Sequence, residues 1–95
     1  MTFWVYILAS DRNGTLYTGS TDNLGKRVWE HREAEGSKFT TKYSVKRLVY
    51  FEDHAERVSA LNRERQIKRW RRTWKLQLIE ADNPQWRDLF DNLAP

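Results

Sequence analysis

The stretch FWVYILASDRNGTLYTGST, residues 3–21, decides the fold. Phe3 to Ala9 is a run of β-branched, aromatic and aliphatic residues, Asp11 to Gly14 is a turn cluster ending in Asn-Gly, and Thr15 to Ser20 returns to strand-forming residues. Two such runs joined through Asn-Gly predict a β-hairpin, because both turn residues tolerate the left-handed backbone that matches the strands' twist. The hairpin puts Tyr6 and Tyr17 on neighbouring strands, and a suitable register turns both to one face; simple cross-strand aromatic packing is the alternative reading. Gly19 follows Tyr17 by two residues, where the strand gives way to the next element. Either another group approaches the backbone closely there, or the chain only turns.

Working outward, Asp22 is placed to cap a helix over Asn23 to Ala34, with Leu24 and Val28 on one face, Gly36 just beyond its end and Gly25 weakening it. Arg27 and His31 are i,i+4 neighbours on that helix, a fixed cation beside a group that titrates near neutral pH, or simply two exposed polar side chains. Ser37 to Ser44 reads as a polar loop and Arg47 to Glu52 as a third strand. From His54 to Trp70 the pattern is helical without Gly or Pro, Thr73 caps a further helix through Ile79, and Asn83-Pro84 opens a short terminal helix with Trp86, Leu89 and Phe90 inward. There is no internal repeat or linker, and the chain reads as one α+β domain over residues 1–95.

Composition narrows the chemistry. With 95 residues the core is small, and thirteen aromatics, five of them Trp, must fill it. The absence of Cys removes disulfides, thiolate nucleophiles and Cys-ligated zinc, and two isolated His argue against a His-only metal site. No apolar run approaches the roughly 20 residues of a membrane span, and no export signal is recognisable, so a soluble cytoplasmic protein is expected. Charge is unevenly spread: residues 1–56 are neutral overall, residues 57–75 carry 8 basic groups and only Glu64, and residues 76–95 are net negative by 3. A block of +7 flanked by Trp70 and Trp74 is the footprint of a phosphate-backbone partner, a solvated helix face being the plainer alternative. Rotation by 100° per residue puts Ala60, Leu61, Glu64, Ile67 and Lys68 on one helix face. A carboxylate inside an apolar stripe needs a cation, a metal or hydrogen-bond donors, and an i,i+4 pair with Lys68 at the stripe's edge would also serve. Arg63, Arg65 and Arg69 fall outside the stripe and are expected to point outward, towards phosphates.

The order of these features is more specific than any one of them. Val5-Tyr6-Ile7, then Tyr17-Thr18-Gly19-Ser20-Thr21, Arg27, His31, Phe39-Thr40, Arg47-Leu48-Val49-Tyr50, Arg63-Glu64 with Ile67-Lys68, and Asn83-Pro84 before Trp86 together resemble the GIY-YIG nuclease superfamily, in its short stand-alone bacterial branch. The first motif reads Trp4-Val5-Tyr6, without its Gly, and the second Tyr17-Thr18-Gly19, with Thr for Ile; both changes fall on strand-packing positions.

The resemblance implies a three-stranded antiparallel sheet flanked by helices and a divalent-metal-dependent DNA endonuclease, Mg²⁺ or Mn²⁺ being held by Glu64 as the sole protein carboxylate. It further implies that Arg27 clamps a phosphate oxygen and that Tyr17, assisted by Tyr6, orients or deprotonates the attacking water. His31 holds Tyr17 or relays a proton. Gly19, Arg63, Arg65, Lys68, Arg69 and Asn83 are the expected substrate contacts. Larger family members carry a separate DNA-binding domain, so selectivity here is expected from DNA structure, a second copy of the chain or a protein partner, in repair or recombination. The alternatives are a non-catalytic nucleic acid binding module that keeps the fold and a partner-docking domain.

Overall fold

The computed structural model describes residues 1–33 and 38–93. Strands β1 (Phe3–Ala9), β2 (Leu16–Thr21) and β3 (Arg47–His54) form an antiparallel sheet in the order β2-β1-β3. β1 lies in the centre and is covered on both faces, which is why its sequence is almost continuously apolar. Phe3, Val5, Ile7 and Ala9 face one cluster, with Val49, Ala60, Ile67, Ile79 and Trp86. Trp4, Tyr6 and Leu8 face the other, with Leu24, Val28, Val45 and Leu48. A bulge between Ile7 and Leu8 sets Ile7 against Tyr50 but Leu8 against Leu48, and so turns both Val49 and Tyr50 to the first cluster.

The hairpin forms as expected, with a different division of labour in its turn. Asn13 takes the left-handed backbone (φ 57°), and among the described residues no glycine does. Gly14 is required for space, since a Cβ there would fall 2.3 Å from Ser10 Oγ. Arg72 fastens the turn by donating to the carbonyls of Asn13 and Gly14, at 2.8 and 2.7 Å.

Helix α1 spans Leu24–Arg32 and is capped by Asn23, whose side chain accepts from the Lys26 amide, so the cap lies one residue beyond Asp22. The expected helix end at Ala34, the stop at Gly36 and the loop start at Ser37 lie outside the described residues. Where a polar loop is expected, Lys38–Lys42 forms a short helix, α2. Thr40, fully buried and bonded to His31, anchors it, a tertiary contact that local composition does not announce.

Helix α3 spans Arg57–Arg69, and His54 belongs to β3, paired with Phe3. Its ring is held between Glu52 Oε2 (2.6 Å) and Ser59 Oγ (2.9 Å), which joins the strand end to the helix start. Ala60 and Ile67 are buried, whereas Leu61 and Lys68 are exposed, so the apolar stripe is narrower than a wheel suggests. Extended backbone at Trp70 and Arg71 separates α3 from α4, Arg72–Asp82; Thr73 lies within the first turn of α4 and does not cap it. The expected terminal helix is displaced to a 3₁₀ turn at Leu89–Leu93. Asn83 instead ends α4: its amide donates to the Val49 and Arg87 carbonyls and its oxygen accepts from the Arg87 amide. That loop seats Trp86 fully in the core, while Leu89 and Phe90 cover the second cluster from its edge.

Candidate active site

The site gathers around the edge strand β2. In the β1–β2 register Tyr6 stands opposite Gly19 and Leu8 opposite Tyr17, which sends both phenols to the α1 face. The Tyr6 ring lies across β2 directly over Gly19, where a Cβ would meet its Oη at 2.6 Å and its Cζ at 2.7 Å. Gly19 is there to let this ring through, since its backbone is not left-handed. Tyr6, Tyr17 and His31 form a three-ring cluster with centroids 5.3 to 6.4 Å apart.

His31 is buried, with 1% of its surface exposed, and both ring nitrogens are engaged: Nε2 with Tyr6 Oη at 3.2 Å and Nδ1 with Thr40 Oγ1 at 3.0 Å. Burial, reinforced by the Arg27 charge, lowers its pKa to about 4, so the ring is neutral near pH 7. Burial also pushes the Tyr6 phenol well above its usual pKa; the neighbouring Tyr17 and Glu64 add to this and Arg27 opposes it. Tyr6 is therefore a protonated phenol. Arg27, one turn before His31, is desolvated in part, but its pairing with Glu30 (3.2 Å) and its proximity to Tyr6 outweigh that and hold the guanidinium charge.

Glu64 comes from the other face of the sheet. Helix α3 packs on β1 and β2, and the Glu64 carboxylate, 15% exposed, receives a hydrogen bond from Ser20 Oγ at 2.5 Å on Oε1 and the Lys68 ammonium at 2.6 Å on Oε2. Ser20 and Gly19 are consecutive on the edge strand with opposite side-chain directions, so Glu64 and Tyr6 arrive from opposite faces and meet across β2. The structure thus brings Tyr6, Tyr17, Arg27, His31 and Glu64 to one strand edge, with His31 bonded to Tyr6 and packed on Tyr17. Ser20 and Thr40 also belong to this cluster. Neither carries a local sequence signal: Ser20 is one hydroxyl in a hydroxyl-rich strand, and Thr40 lies in a segment that reads as loop.

The expected substrate contacts divide. Arg65 and Arg69 are exposed on the outer surface of α3. Arg63 does not point outward: its Nε donates to both Glu52 oxygens (3.2 and 3.1 Å) and its guanidinium lies over Trp70, because its position is only about 50° from the buried direction of the helix. Around it, Glu52 accepts from Tyr50 Oη and binds His54; burial opposes its charge, but these partners bring its pKa below the usual carboxylate range. The Asn83 side chain is engaged in ending α4 and holding β3.

A small antiparallel sheet with two tyrosines on a hairpin, an arginine on the following helix and a glutamate on a later one defines a class, and the chain belongs to it: the family model for the GIY-YIG catalytic domain matches residues 2–77. Within that class it is similar to UPF0213 proteins. One from Clostridium perfringens is 42% identical over 78 residues, covering 82% of this chain and 83% of the relative. One from Haloquadratum walsbyi is 44% identical over 78 residues, covering 81% and 85%, so the branch extends beyond bacteria to archaea. The solution NMR structure of a UPF0213 protein from Bacillus halodurans superposes over the whole of both chains with a TM-score of 0.58 at 26% identity.

Proposed function

We propose that this chain is a divalent-metal-dependent DNA endonuclease that hydrolyses phosphodiester bonds at the β2 edge. The observation that carries the proposal is the convergence of Glu64 with Tyr6, Tyr17 and Arg27 from opposite faces of the sheet. Among the described residues no group of three or more His, Cys, Asp or Glu could hold a metal. A lone carboxylate does not suit zinc, but it suits Mg²⁺ or Mn²⁺, which keep several waters and accept phosphate oxygens. Such an ion, held by Glu64, would neutralise charge on the scissile phosphate and favour deprotonation of the attacking water.

The chain's own groups supply the rest. Arg27, held charged, binds a non-bridging oxygen and stabilises charge as it builds on phosphorus. Tyr17 orients the attacking water. Tyr6, protonated and fixed by His31, donates a hydrogen bond and does not act as a base. His31, neutral and doubly tethered, positions Tyr6. Ser20 holds the Glu64 carboxylate. Arg65 and Arg69 contact phosphates flanking the cleaved one, and selectivity comes from DNA structure, a second copy or a protein partner. Among the described residues no helix is long and apolar enough to cross a membrane.

One observation favours the second reading, a non-catalytic nucleic acid module: Lys68 already occupies the Glu64 carboxylate. A panel of end-labelled branched, nicked, single-stranded and duplex DNAs, with and without Mg²⁺, separates the two. Binding without metal-stimulated cleavage of any substrate would select the module.

A further inference from the structure

Both oxygens of the Glu64 carboxylate are engaged within the chain, by unlike partners. Ser20 Oγ, on Oε1, belongs to a hydrogen-bonded strand and cannot leave. Lys68 Nζ, on Oε2, ends a flexible stem whose side chain is 51% exposed, one helical turn after Glu64. A Glu–Lys pair in this order adds little to helix stability, so the ammonium is resident but readily displaced. It is a compact, strongly hydrated point charge able to change anions without a fixed geometry. A divalent ion competes with the ammonium for this carboxylate, because two like charges at one carboxylate oxygen repel. The outer surface that Lys68 shares with Arg65 and Arg69 is where a phosphate backbone would offer it a replacement.

Resting on the nuclease reading above, we propose that Lys68 is an exchangeable counter-ion: it occupies Glu64 in the free protein and moves to a backbone phosphate when DNA binds, so that DNA and metal load the site together. DNA removes the competitor and thereby raises metal affinity, and by linkage the metal raises DNA affinity by the same factor. Lys68 is then a positioning residue, and its place in the block of +7 has a purpose distinct from that of its neighbours.

The test is Mn²⁺ binding to the DNA-free protein, followed by the electron paramagnetic resonance of the free ion, together with DNA affinity in chelator. Lys68→Met keeps the stem and removes the charge. It is expected to bind Mn²⁺ about fivefold tighter or more, the lower end of ordinary coupling between sites. It should also bind duplex DNA more weakly without metal, with a salt slope smaller by about 0.9. Lys68→Arg, which keeps the charge, should match the parent in Mn²⁺ affinity. Unchanged or weaker Mn²⁺ binding by Lys68→Met overturns the exchange and leaves Lys68 a helix-stabilising partner. Glu64→Gln separates the two levels: if it loses Mn²⁺ while Lys68→Met gains nothing, only the exchange fails. If it binds Mn²⁺ like the parent, the metal assignment and the exchange fall together.

Discussion

Gly19→Ala probes the close approach on which the site depends. The new Cβ would lie 2.6 Å from Tyr6 Oη and 2.7 Å from Cζ, against an ordinary contact of 3.4 Å or more. The atoms struck cannot yield easily, because Tyr6 is 1% exposed, packed among Leu8, Leu24, Val28, Val45 and Leu48, and bonded to His31. Overfilling a packed region by one methyl costs about 1–3 kcal/mol. Loss of the Tyr6–His31 hydrogen bond adds about 1 kcal/mol, and the better strand propensity of Ala returns roughly 0.5–1 kcal/mol. The net expectation is a loss of about 1–3 kcal/mol, or some 4–8 °C in Tm per kcal/mol for a domain of this size. Urea unfolding followed by tryptophan fluorescence measures it, and cleavage should fall with it because Tyr6 is displaced. A double-mutant cycle with Tyr6→Leu makes the test specific: with the ring removed, adding Ala at 19 should cost almost nothing. A Gly19→Ala protein within about 0.5 kcal/mol of the parent would refute the steric argument.

The pKa of His31 is held near 4 in the fold against 6.5 for a free ring, so between these values the unfolded chain takes up a proton that the native chain refuses. Stability should therefore decline as pH falls from 6.5 to 4, with no such contribution above 6.5. Urea midpoints at several pH values should show this limb flattened in His31→Gln, and an identical decline in both proteins would contradict the assignment. Arg27→Ala should lower single-turnover cleavage by about 10² to 10³; a loss below tenfold would remove it from the transition state. Neutralising Arg65 and Arg69 together should weaken DNA binding similarly across sequences and reduce the salt slope by up to about 2, with turnover at saturation little changed. Unaltered affinity and slope would mean that DNA approaches elsewhere.

The hairpin and the third strand are legible because runs of strand-forming residues set off by turn and loop residues mark residues 3–21 and 47–52. The elements that were misplaced depend on contacts distant in sequence. α2 exists because Thr40 reaches His31, and β3 runs on to His54 because Phe3 pairs with it. The break between α3 and α4 is legible at Trp70, and only its far side shifts, since α4 begins at Arg72 and Thr73 does not cap it. In the site, Gly19 carried a readable hint, a glycine where a strand should continue, but only the register shows that the approaching group is Tyr6. Helical rotation placed Glu64 correctly and misjudged Arg63, since an arginine near the buried side can bend back to a carboxylate such as Glu52. The family likeness that points to Asn83 is blind to the backbone partners that already use its amide.

The most direct measurement is single-turnover hydrolysis of the best substrate from the branched, nicked, single-stranded and duplex panel by the parent protein and by Glu64→Gln, each in Mg²⁺ and in excess chelator. The amide is nearly isosteric with the carboxylate and a much weaker ligand for a hard cation, so the variant should fold and bind DNA yet fail to cleave. The expected result is cleavage by the parent in Mg²⁺ alone, and none by either protein in chelator or by Glu64→Gln in any condition. Cleavage by Glu64→Gln at the parent's rate, or by the parent in chelator, would contradict a metal-dependent centre at Glu64.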